Sequence, residues 1–439
     1  MPPTVTRVAI VGTGSRGLMY VQAVAERPNM EIVAFCEPNS IRAEYYNVKL
    51  EKLMQHRVPV YKPDGYLDML RNEKVDTVVI TCIDALHDLY IVPALEANVH
   101  VFTEKPMTTD VEKCRAINQA SERTSAPLTV TFNYRYNPVH EAVKRLIASG
   151  EIGNVLSVHF EWLLDTVHGA DYFRRWHRQK KNSGGLMVHK SGHHFDLVNW
   201  WLDADPLEVA GFGKLAFYGD AAGKKHGLAK DYKRSLGSDV AKQDPFAIQL
   251  QDDPLLKKLY VEAENEDGYF RDKNVFAPDI DIEDDVSLLV RYSTGATLSY
   301  HLTAYSPWEG YRVMFNGSNG RIELEVVECP YSLPSQEFLA GEQVHKDQSL
   351  SDMGRSRLSV HPLWAPPHEV DVKMERGGHG GGDRRMLNVL FGPRPGEEAD
   401  TGDAAKQKAG VRDGTMALAV GLAANESFRT GKFEMTRAV

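Results

Sequence analysis

Short apolar runs alternate with helix-like stretches along the first part of the chain. The runs lie at residues 7–11, 31–35, 76–81, 100–103 and 128–132. Residues 87–97 have a helical pattern between two of the runs, and Asp110 can cap a further helix that reaches about residue 124. Buried strands that alternate with helices are typical of a parallel sheet covered on both faces. The pattern predicts an α/β domain over residues 1–132.

Residues 133–439 have a different pattern. Residues 155–163, 287–303 and 321–327 alternate apolar and polar positions with a period of two, which indicates longer strands. Helical stretches are fewer here. This predicts an α+β domain built on a mostly antiparallel sheet, one face of which can stay open.

Three features complete this second domain. Residues 219–285 are highly charged and lack periodicity, which is typical of an insertion, a lid or a binding loop. Asp383 precedes an apolar run and is expected to cap its helix. Residues 413–430 form an amphipathic pattern followed by Gly431, which predicts a final helix.

The composition narrows the class of protein. Hydrophobic residues make up 42% of the chain and charged residues 25%, as in ordinary globular proteins. A net charge of −9 argues against nucleic-acid binding, which favours a basic surface. Neither a signal peptide nor a membrane-spanning run is expected, because the first strand begins at about residue 7 and long apolar stretches are missing. The scattered cysteines fit a reducing compartment, so we expect a cytoplasmic protein.

A glycine motif directly follows the first predicted strand and opens a helix. It has the spacing Gly-x-Gly-x-x-Gly at Gly12, Gly14 and Gly17, with Ser15 and Arg16 between the last two. The first glycine allows a tight turn, the second lets the backbone approach a pyrophosphate, and the third allows close helix–strand contact. The amides of the helix N-terminus favour the phosphates. The motif predicts a Rossmann fold that binds a dinucleotide.

Glu37 lies at the end of the second predicted strand, 20 residues after Gly17. A carboxylate at this place accepts hydrogen bonds from the ribose hydroxyls and repels a 2′-phosphate. NAD is therefore the expected cofactor, although Arg42 is near enough to keep NADP open.

The motif Glu104-Lys105-Pro106 ends the strand at 100–103, and with the glycine motif it resembles the glucose–fructose oxidoreductase, inositol dehydrogenase and MocA superfamily. Residues 81–87 and 133–138 are similar to the segments before and after this strand in that family, and the resemblance extends over nearly the whole chain. It implies that the cofactor site also includes Thr81, His87, Glu104, Lys105 and Asn133.

Lys105 leaves a strand at its carboxyl end, where open α/β sheets bind their ligands. Its ammonium can hydrogen-bond a substrate hydroxyl and stabilise the developing alkoxide; otherwise it is a surface lysine. Tyr136 lies beside Arg135, and nearby cations ease the ionisation of a phenol, which makes it a candidate base. A core tyrosine is the other interpretation of Tyr136.

The family's catalytic segment often has the pattern Asp-x-x-x-His-x-x-Asp, and here His189 replaces its first Asp while His193 and Asp196 match. On a helix over residues 186–202 these three side chains share one face. Two imidazoles can relay the proton that an oxidised alcohol loses. The departure resembles the branch with NAD-dependent glycosidases and glycoside 3-dehydrogenases. A metal site and structural histidines are the alternatives, and we expect no metal.

A basic stretch covers residues 174–181. Arg174 and Arg175, with Lys190 and Asp196, are candidate substrate ligands, and the cations suit an anionic substituent such as the sulfonate of a sulfoquinovoside. The stretch can instead be solvated or contact the cofactor phosphates.

The favoured hypothesis is an NAD-dependent glycoside hydrolase that transiently oxidises C3 of the sugar, eliminates the aglycone, adds water and reduces the ketone again. Lys105, Tyr136, His189 and His193 are its expected catalytic residues. The alternatives are a sugar or glycoside 3-dehydrogenase and a non-catalytic protein that binds NAD or a sugar. The resemblance also implies a homo-oligomer, a dimer or tetramer, paired through the open sheet face.

Overall fold

The computed structural model describes residues 5–332, 355–372, 378–397 and 407–438. The chain forms two compact units. The first comprises Met1–Asn133, Leu250–Phe270 and Asp383–Thr415, and the second comprises Tyr134–Gln249, Arg271–Gly382 and Met416–Val439. No helix within the described ranges combines the length and the apolar character that a membrane span requires.

A parallel sheet forms the centre of the first unit. Its strands are β1 (Thr6–Val11), β2 (Met30–Cys36), β3 (Val60–Tyr61), β4 (Thr77–Ile80), β5 (His100–Thr103) and β6 (Leu128–Val130). Their order is β3-β2-β1-β4-β5-β6, the strand order of a Rossmann fold. Val8, Ala9 and Ile10 of β1 have no exposed surface, because such a sheet is covered on both faces. The predicted fold class of this unit is confirmed.

Helices connect these strands in the expected alternation. They are α1 (Leu18–Ala25), α2 (Ser40–Met54), α3 (Tyr66–Asn72), α4 (Asp88–Glu96) and α5 (Val111–Arg123). Asp110 caps α5 and accepts a hydrogen bond from the Lys113 amide at 3.0 Å. Asn39 caps α2 in the same way, because its side-chain oxygen accepts from the amides of Ile41 and Arg42, both at 3.2 Å. Such caps satisfy amides that lack partners within the helix.

The second unit contains a nine-stranded sheet of order β14-β13-β12-β11-β7-β10-β9-β8-β15. The strands are β7 (Val155–Asp165), β8 (Pro206–Lys214), β9 (Asp285–Tyr292), β10 (Thr297–Ser306), β11 (Glu309–Gly317), β12 (Gly320–Cys329), β13 (Arg355–Pro362), β14 (His368–Glu369) and β15 (Glu434–Met435). β7 and β10 run parallel, and the other described pairs are antiparallel. The mostly antiparallel sheet predicted from the period-two pattern is confirmed.

One face of this sheet carries the core of the second unit. In β9, Val286, Leu288 and Val290 are buried, whereas Leu289 between them is 56% exposed. Trp162 of β7 is completely buried on the same core side. The helices of this unit are α6 (Pro138–Ala148), α7 (Thr166–Arg174), α8 (Lys180–Ser183), α9 (Leu186–His189), α10 (Gly192–Leu202) and α11 (Asp220–Lys225).

The charged stretch expected as one insertion at 219–285 divides between the units. Leu250–Phe270 belongs to the first unit and contains α12 (Pro254–Leu256) and α13 (Glu264–Asp267). Leu256 and Leu259 are buried there. Helices this short give no detectable period in the sequence. Two further helices follow, α14 (Gly382–Phe391) and α15 (Val411–Thr430).

Candidate cofactor and substrate sites

The glycine motif forms a tight turn after β1. Gly12 has a φ of +85°, and a Cβ atom there would lie 2.7 Å from the backbone nitrogen of Cys82, so only glycine fits. A Cβ on Gly17 would lie 2.6 Å from the hydroxyl oxygen of Tyr46. Thr81 was expected to bind the cofactor, but its hydroxyl donates to the Gly12 carbonyl at 2.7 Å. Thr81 therefore stabilises the glycine turn through this hydrogen bond.

The amides after this turn are the donors that a pyrophosphate would use. Gly14 has an ordinary φ of −79°, and a Cβ there would meet only the Tyr260 hydroxyl, at 3.6 Å. The Ser15 amide donates to that hydroxyl at 3.2 Å. A phosphate at this helix N-terminus would accept from the Ser15 amide in place of the Tyr260 hydroxyl, and the glycine at position 14 puts no side chain in its way.

Glu37 is buried at the carboxyl end of β2. One carboxylate oxygen accepts from the Thr13 amide at 2.8 Å, and the other accepts from the Asn39 amide at 2.9 Å. These bonds hold the carboxylate beside the glycine turn, where adenosine ribose hydroxyls are bound in Rossmann folds. The residues at the turn and at Glu37 thus fit NAD.

Asp383 contacts two of the expected cofactor-site residues, Arg16 and Asn133, and Arg16 connects them to Glu104. Arg16 pairs with Glu104 at 2.6 Å and with Asp383 at 3.1 Å. Asn133 donates to Asp383 at 2.7 Å, and the Tyr20 hydroxyl donates to Glu104 at 2.7 Å. Asp383 lies within the first turn of α14, and its carboxylate binds these distant side chains. The expected role of Asp383 as a simple helix cap misses this network.

Burial by itself raises the pKa of Glu104, but the positive charges of Arg16 and Lys105 outweigh it, so the pKa is lowered. Glu104 is therefore an anion beside Lys105. The Lys105–Pro106 peptide bond is cis, and Lys105 is half-buried just after β5. His87 is completely buried and its Nδ1 lies 2.9 Å from the Pro106 carbonyl oxygen. His87 was expected to bind the cofactor. In the structure its buried ring contacts the backbone of Pro106, next to Lys105.

In the second unit, the predicted continuous helix over 186–202 is wrong, because it is interrupted at Lys190 and Ser191 between α9 and α10. The His189 ring lies 4.2 Å from the His177 ring and 5.7 Å from the Tyr172 ring. The His193 ring stacks on Tyr134 at 4.6 Å. The break gives the two histidines different aromatic neighbours, so the single shared face expected from helical spacing is not formed.

Asp196 was expected to bind substrate, and the structure places its carboxylate in a buried ion pair. Its carboxylate pairs with the guanidinium of Arg135 through two bonds of 2.6 and 2.8 Å, and both side chains are nearly completely buried. Tyr136 is also buried, and this burial raises its pKa although Arg135 opposes the shift. Arg135 favours the ionisation of Tyr136, as expected, but burial is the larger effect and the net pKa is raised.

Arg174 and Arg175 were expected to bind an anionic substituent or to lie in water. Both pair with Asp171, at 3.4 and 2.7 Å, and Arg174 also donates to the Phe246 carbonyl at 2.7 Å. Burial raises the pKa of Asp171, but the charges of Arg175, Arg271 and Arg174 outweigh it and lower the pKa. These cations belong to an internal ion-pair cluster in which Arg174, Arg175 and Arg271 share the single carboxylate of Asp171.

Lys190 lies among aromatic rings. Its Nζ is 4.6 Å from the centre of the Trp162 ring and 3.4 Å from the Tyr134 hydroxyl. Burial lowers its pKa, against the opposing charges of Glu309 and Glu328. Lys190 is thus buried against aromatic rings, whereas the sequence predicted a ligand of an anionic substituent.

A hydrogen-bonded chain in the second unit was missed by the sequence analysis. His168 Nδ1 lies 2.7 Å from Glu309, and His168 Nε2 lies 3.0 Å from the Tyr172 hydroxyl. Burial and the charge of Lys190 lower the pKa of His168, so the imidazole is neutral. Its Nδ1 proton then points to the carboxylate, and its Nε2 accepts from Tyr172. The only local signal was the spacing of four residues between His168 and Tyr172 on α7.

Five histidines of the second unit form what we call the histidine cluster. Its histidines contact one another directly or through tyrosine rings and through Lys190. The members are His168, His177, His189, His193 and His379. In the part of the chain that the structure describes, no group of three or more histidine, cysteine or acidic residues could hold a metal ion.

Two family models match the chain. The model of the oxidoreductase family NAD-binding Rossmann fold matches residues 6–132, and that of the oxidoreductase family C-terminal alpha/beta domain matches residues 144–436. The putative oxidoreductase YteT of Bacillus subtilis is 35% identical over 426 residues, which is 94% of each chain. The scyllo-inositol 2-dehydrogenase (NAD(+)) of the same organism is 26% identical over 48% of this chain and 57% of its own length.

Solved structures share the fold. An oxidoreductase from Agrobacterium radiobacter in complex with NAD⁺, L-tartaric acid and magnesium has a TM-score of 0.63 and 16% identity, with 99% of each chain covered. The WlbA dehydrogenase from Bordetella pertussis, in complex with NADH and UDP-GlcNAcA, has a TM-score of 0.61 and 17% identity, with 98% of each chain covered.

Proposed function

The chain belongs to the glucose–fructose oxidoreductase, inositol dehydrogenase and MocA family of NAD-dependent oxidoreductases, and we propose that it oxidises a ring hydroxyl of a sugar or glycoside. Bound NAD supplies the acceptor for the hydride that leaves the ring carbon. The observation that carries the proposal is the NAD-type glycine turn of the first unit together with Lys105, which directly follows β5 of the same unit. The relatives named as inositol dehydrogenases support a polyhydroxylated substrate.

Different residues of the first unit are expected to bind different parts of NAD and the reacting hydroxyl of the substrate. The amides after Gly12 hold phosphate, and Glu37 holds ribose hydroxyls. Lys105 is the group that we expect to hydrogen-bond the reacting hydroxyl, because its ammonium stabilises the negative charge that develops on that oxygen. Glu104, ionised beside it and fixed by Arg16, places a negative charge next to the side chain of Lys105.

The second unit carries side chains that can accept a proton from a hydroxyl group. Tyr172 can accept it while passing its own proton to Nε2 of His168, and Glu309 stabilises the imidazolium that forms. The burial that lowers the pKa of His168 makes this charged form short-lived. His193, stacked on Tyr134, is a second candidate base. General acid–base catalysis of this kind accelerates reactions by about 10²–10⁴-fold.

A second candidate function is the redox-neutral hydrolysis of a glycoside. Oxidation at C3 acidifies the C2 proton; a base removes it, the aglycone leaves from C1, water adds, and the ketone is reduced again. This route requires more proton-transfer groups than a dehydrogenase does. The observation that favours it is the number of such groups in the second unit, namely the Tyr172–His168–Glu309 chain, His193 and Lys190. For an anionic substituent the candidate ligands are Arg174 and Arg175, which with Arg271 share the single carboxylate of Asp171.

The decisive experiment is incubation of the purified protein with NAD and a panel of chromogenic glycosides, followed by aglycone release and NADH absorbance together. Aglycone release without net NADH identifies the hydrolase. NADH formed in proportion to an intact oxidised glycoside identifies the dehydrogenase. Ligand binding without turnover of any substrate would leave a non-catalytic NAD- or sugar-binding protein.

The substitution Lys105→Ala tests whether Lys105 takes part in catalysis. We expect turnover to fall by about 10³-fold, since the alkoxide loses its stabilising charge, while calorimetry shows NAD binding within about twofold of wild type. Lys52→Ala, an exposed lysine of α2, is the control and should behave as wild type. Undiminished turnover in Lys105→Ala would remove this residue from the mechanism.

We also propose a homo-oligomer that pairs through the open face of the nine-stranded sheet. Phe212 and Leu289 on neighbouring strands are 83% and 56% exposed on that face. Light scattering is expected to give a dimer or tetramer, and Phe212→Glu to shift it to a smaller species; a monomeric wild type would refute this.

A further inference from the structure

A segment remote in sequence contacts the end of β2 in the first unit. Leu250–Phe270 lies within the stretch expected to be an insertion, yet Asp267 of this segment accepts a hydrogen bond from the Asn39 side chain at 3.0 Å. The same amide group donates to the Ala263 carbonyl at 2.9 Å. Asn39 also caps α2. The segment is therefore attached to the loop between β2 and α2, where the adenosine ribose of a dinucleotide is bound in a Rossmann fold.

Arg42 on the first turn of α2 is the cation that could admit NADP. Its guanidinium lies 3.5 Å from Glu37 and forms an ion pair with Asp267. Burial lowers the pKa of Arg42, but the two carboxylates outweigh it, so the pKa is raised and the charge is kept. A guanidinium in this part of the fold is the usual partner of a 2′-phosphate, because its fork of donors matches phosphate oxygens.

We propose that Asp267 is a specificity-determining residue that favours NAD over NADP by holding Arg42 in an ion pair and by placing a second carboxylate near Glu37. With two carboxylates and one guanidinium, the local formal charge is −1, which repels a phosphate dianion. A neutral residue at 267 brings the local charge to zero and leaves the donors of Arg42 able to bind phosphate.

The position of Asp267 is fixed independently of Arg42. Its second carboxylate oxygen accepts from the Tyr269 amide at 3.0 Å. An asparagine at this position can keep the acceptor for Tyr269 while it loses the charge, so Asp267→Asn is the variant of choice. Glu266, the preceding residue, accepts from the Ser40 amide at 2.6 Å and is exposed. Glu266→Gln therefore removes a carboxylate from the same helix without touching the Arg42 ion pair.

Titration calorimetry of the full chain with NAD and with NADP tests the proposal without an assay of turnover. We expect the ratio of the NADP Kd to the NAD Kd to fall by about tenfold or more in Asp267→Asn, since a charge-assisted contact to phosphate is gained. In Glu266→Gln the ratio should stay within about twofold of wild type. Glu37→Gln is the positive control that shows the assay responds to the loss of a carboxylate at this site.

The double variant Asp267→Asn, Arg42→Gln separates the two parts of the proposal. If the gain in NADP affinity comes through Arg42, the double variant loses it. An unchanged ratio in Asp267→Asn, together with a changed ratio in Glu37→Gln, would overturn the proposal and leave discrimination to Glu37 alone. Should Asp267→Asn fail to fold, Asp267→Ser removes the same charge and is judged by the same ratios.

Discussion

The glycine turn of the first unit and the histidine cluster of the second are assembled in different ways. The turn uses backbone groups of neighbouring residues, and its shape depends on a positive φ at Gly12. The cluster uses side chains from α7, α9 and α10 and from the segments Trp176–Arg178 and Gly378–Gly381, so its members, from His168 to His379, are separated by up to 211 residues in the chain. The turn is thus sensitive to a single methyl group, whereas the cluster is sensitive to burial and charge.

The largest effect is expected from breaking the buried ion pair between Asp196 of α10 and Arg135. Asp196→Asn leaves the guanidinium of Arg135 buried without its counter-charge, so the free energy of unfolding should fall by about 3–5 kcal/mol. Denaturant unfolding followed by tryptophan fluorescence measures this. Asp203→Asn, an exposed acid that follows the same helix, should change stability by less than about 0.5 kcal/mol. If Asp196 instead binds substrate, its variant would raise KM at unchanged stability.

The second effect comes from a histidine in the core of the second unit. Burial lowers the pKa of His140 to about 4, whereas an unfolded histidine titrates near pH 6.5. Between these two values the unfolded chain binds a proton that the folded chain does not, so stability present at pH 7 is lost as the pH falls towards 4. We expect His140 to contribute about 3 kcal/mol to that loss.

Urea unfolding at pH 7 and at pH 4 tests this contribution. His140→Gln should be less stable at pH 7, because the ring loses its contacts with the Tyr134 carbonyl at 2.8 Å and the Tyr311 hydroxyl at 2.6 Å. Its further loss between the two pH values should be smaller than that of wild type. His159→Gln, an exposed histidine on the open sheet face, should keep the full wild-type dependence. Equal pH dependence in wild type and His140→Gln would contradict the assignment.

The same contrast explains what could be predicted from the sequence. The glycine motif, Glu37 and the helix cap at Asp110 depend on neighbours within a few residues or on one strand–turn–helix unit, and spacing alone predicts them. The partners of Asp196 and of His168 lie 61 and 141 residues away, and no local period records such a pairing. The basic stretch is different, because Asp171 lies only three and four residues before Arg174 and Arg175 and pairs with both, so helical spacing could have indicated these ion pairs.

The smallest effect on stability is expected from substitutions of Gly12 and Gly14 in the glycine turn. These two variants also test most directly how sensitive the turn is to a single methyl group. Gly12→Ala forces an L-residue into a φ of +85° with its Cβ 2.7 Å from backbone, which should cost about 2 kcal/mol of stability and abolish NAD binding. Gly14→Ala has an ordinary φ and room for its methyl group, so stability should change by less than about 0.5 kcal/mol. That methyl group nevertheless occupies the path of the pyrophosphate, so NAD affinity should fall by about tenfold or more. Calorimetry and unfolding on the same samples separate the two cases. Wild-type NAD affinity in Gly14→Ala would mean that the phosphate does not approach this backbone, and the turn would then be only a structural link between β1 and α1.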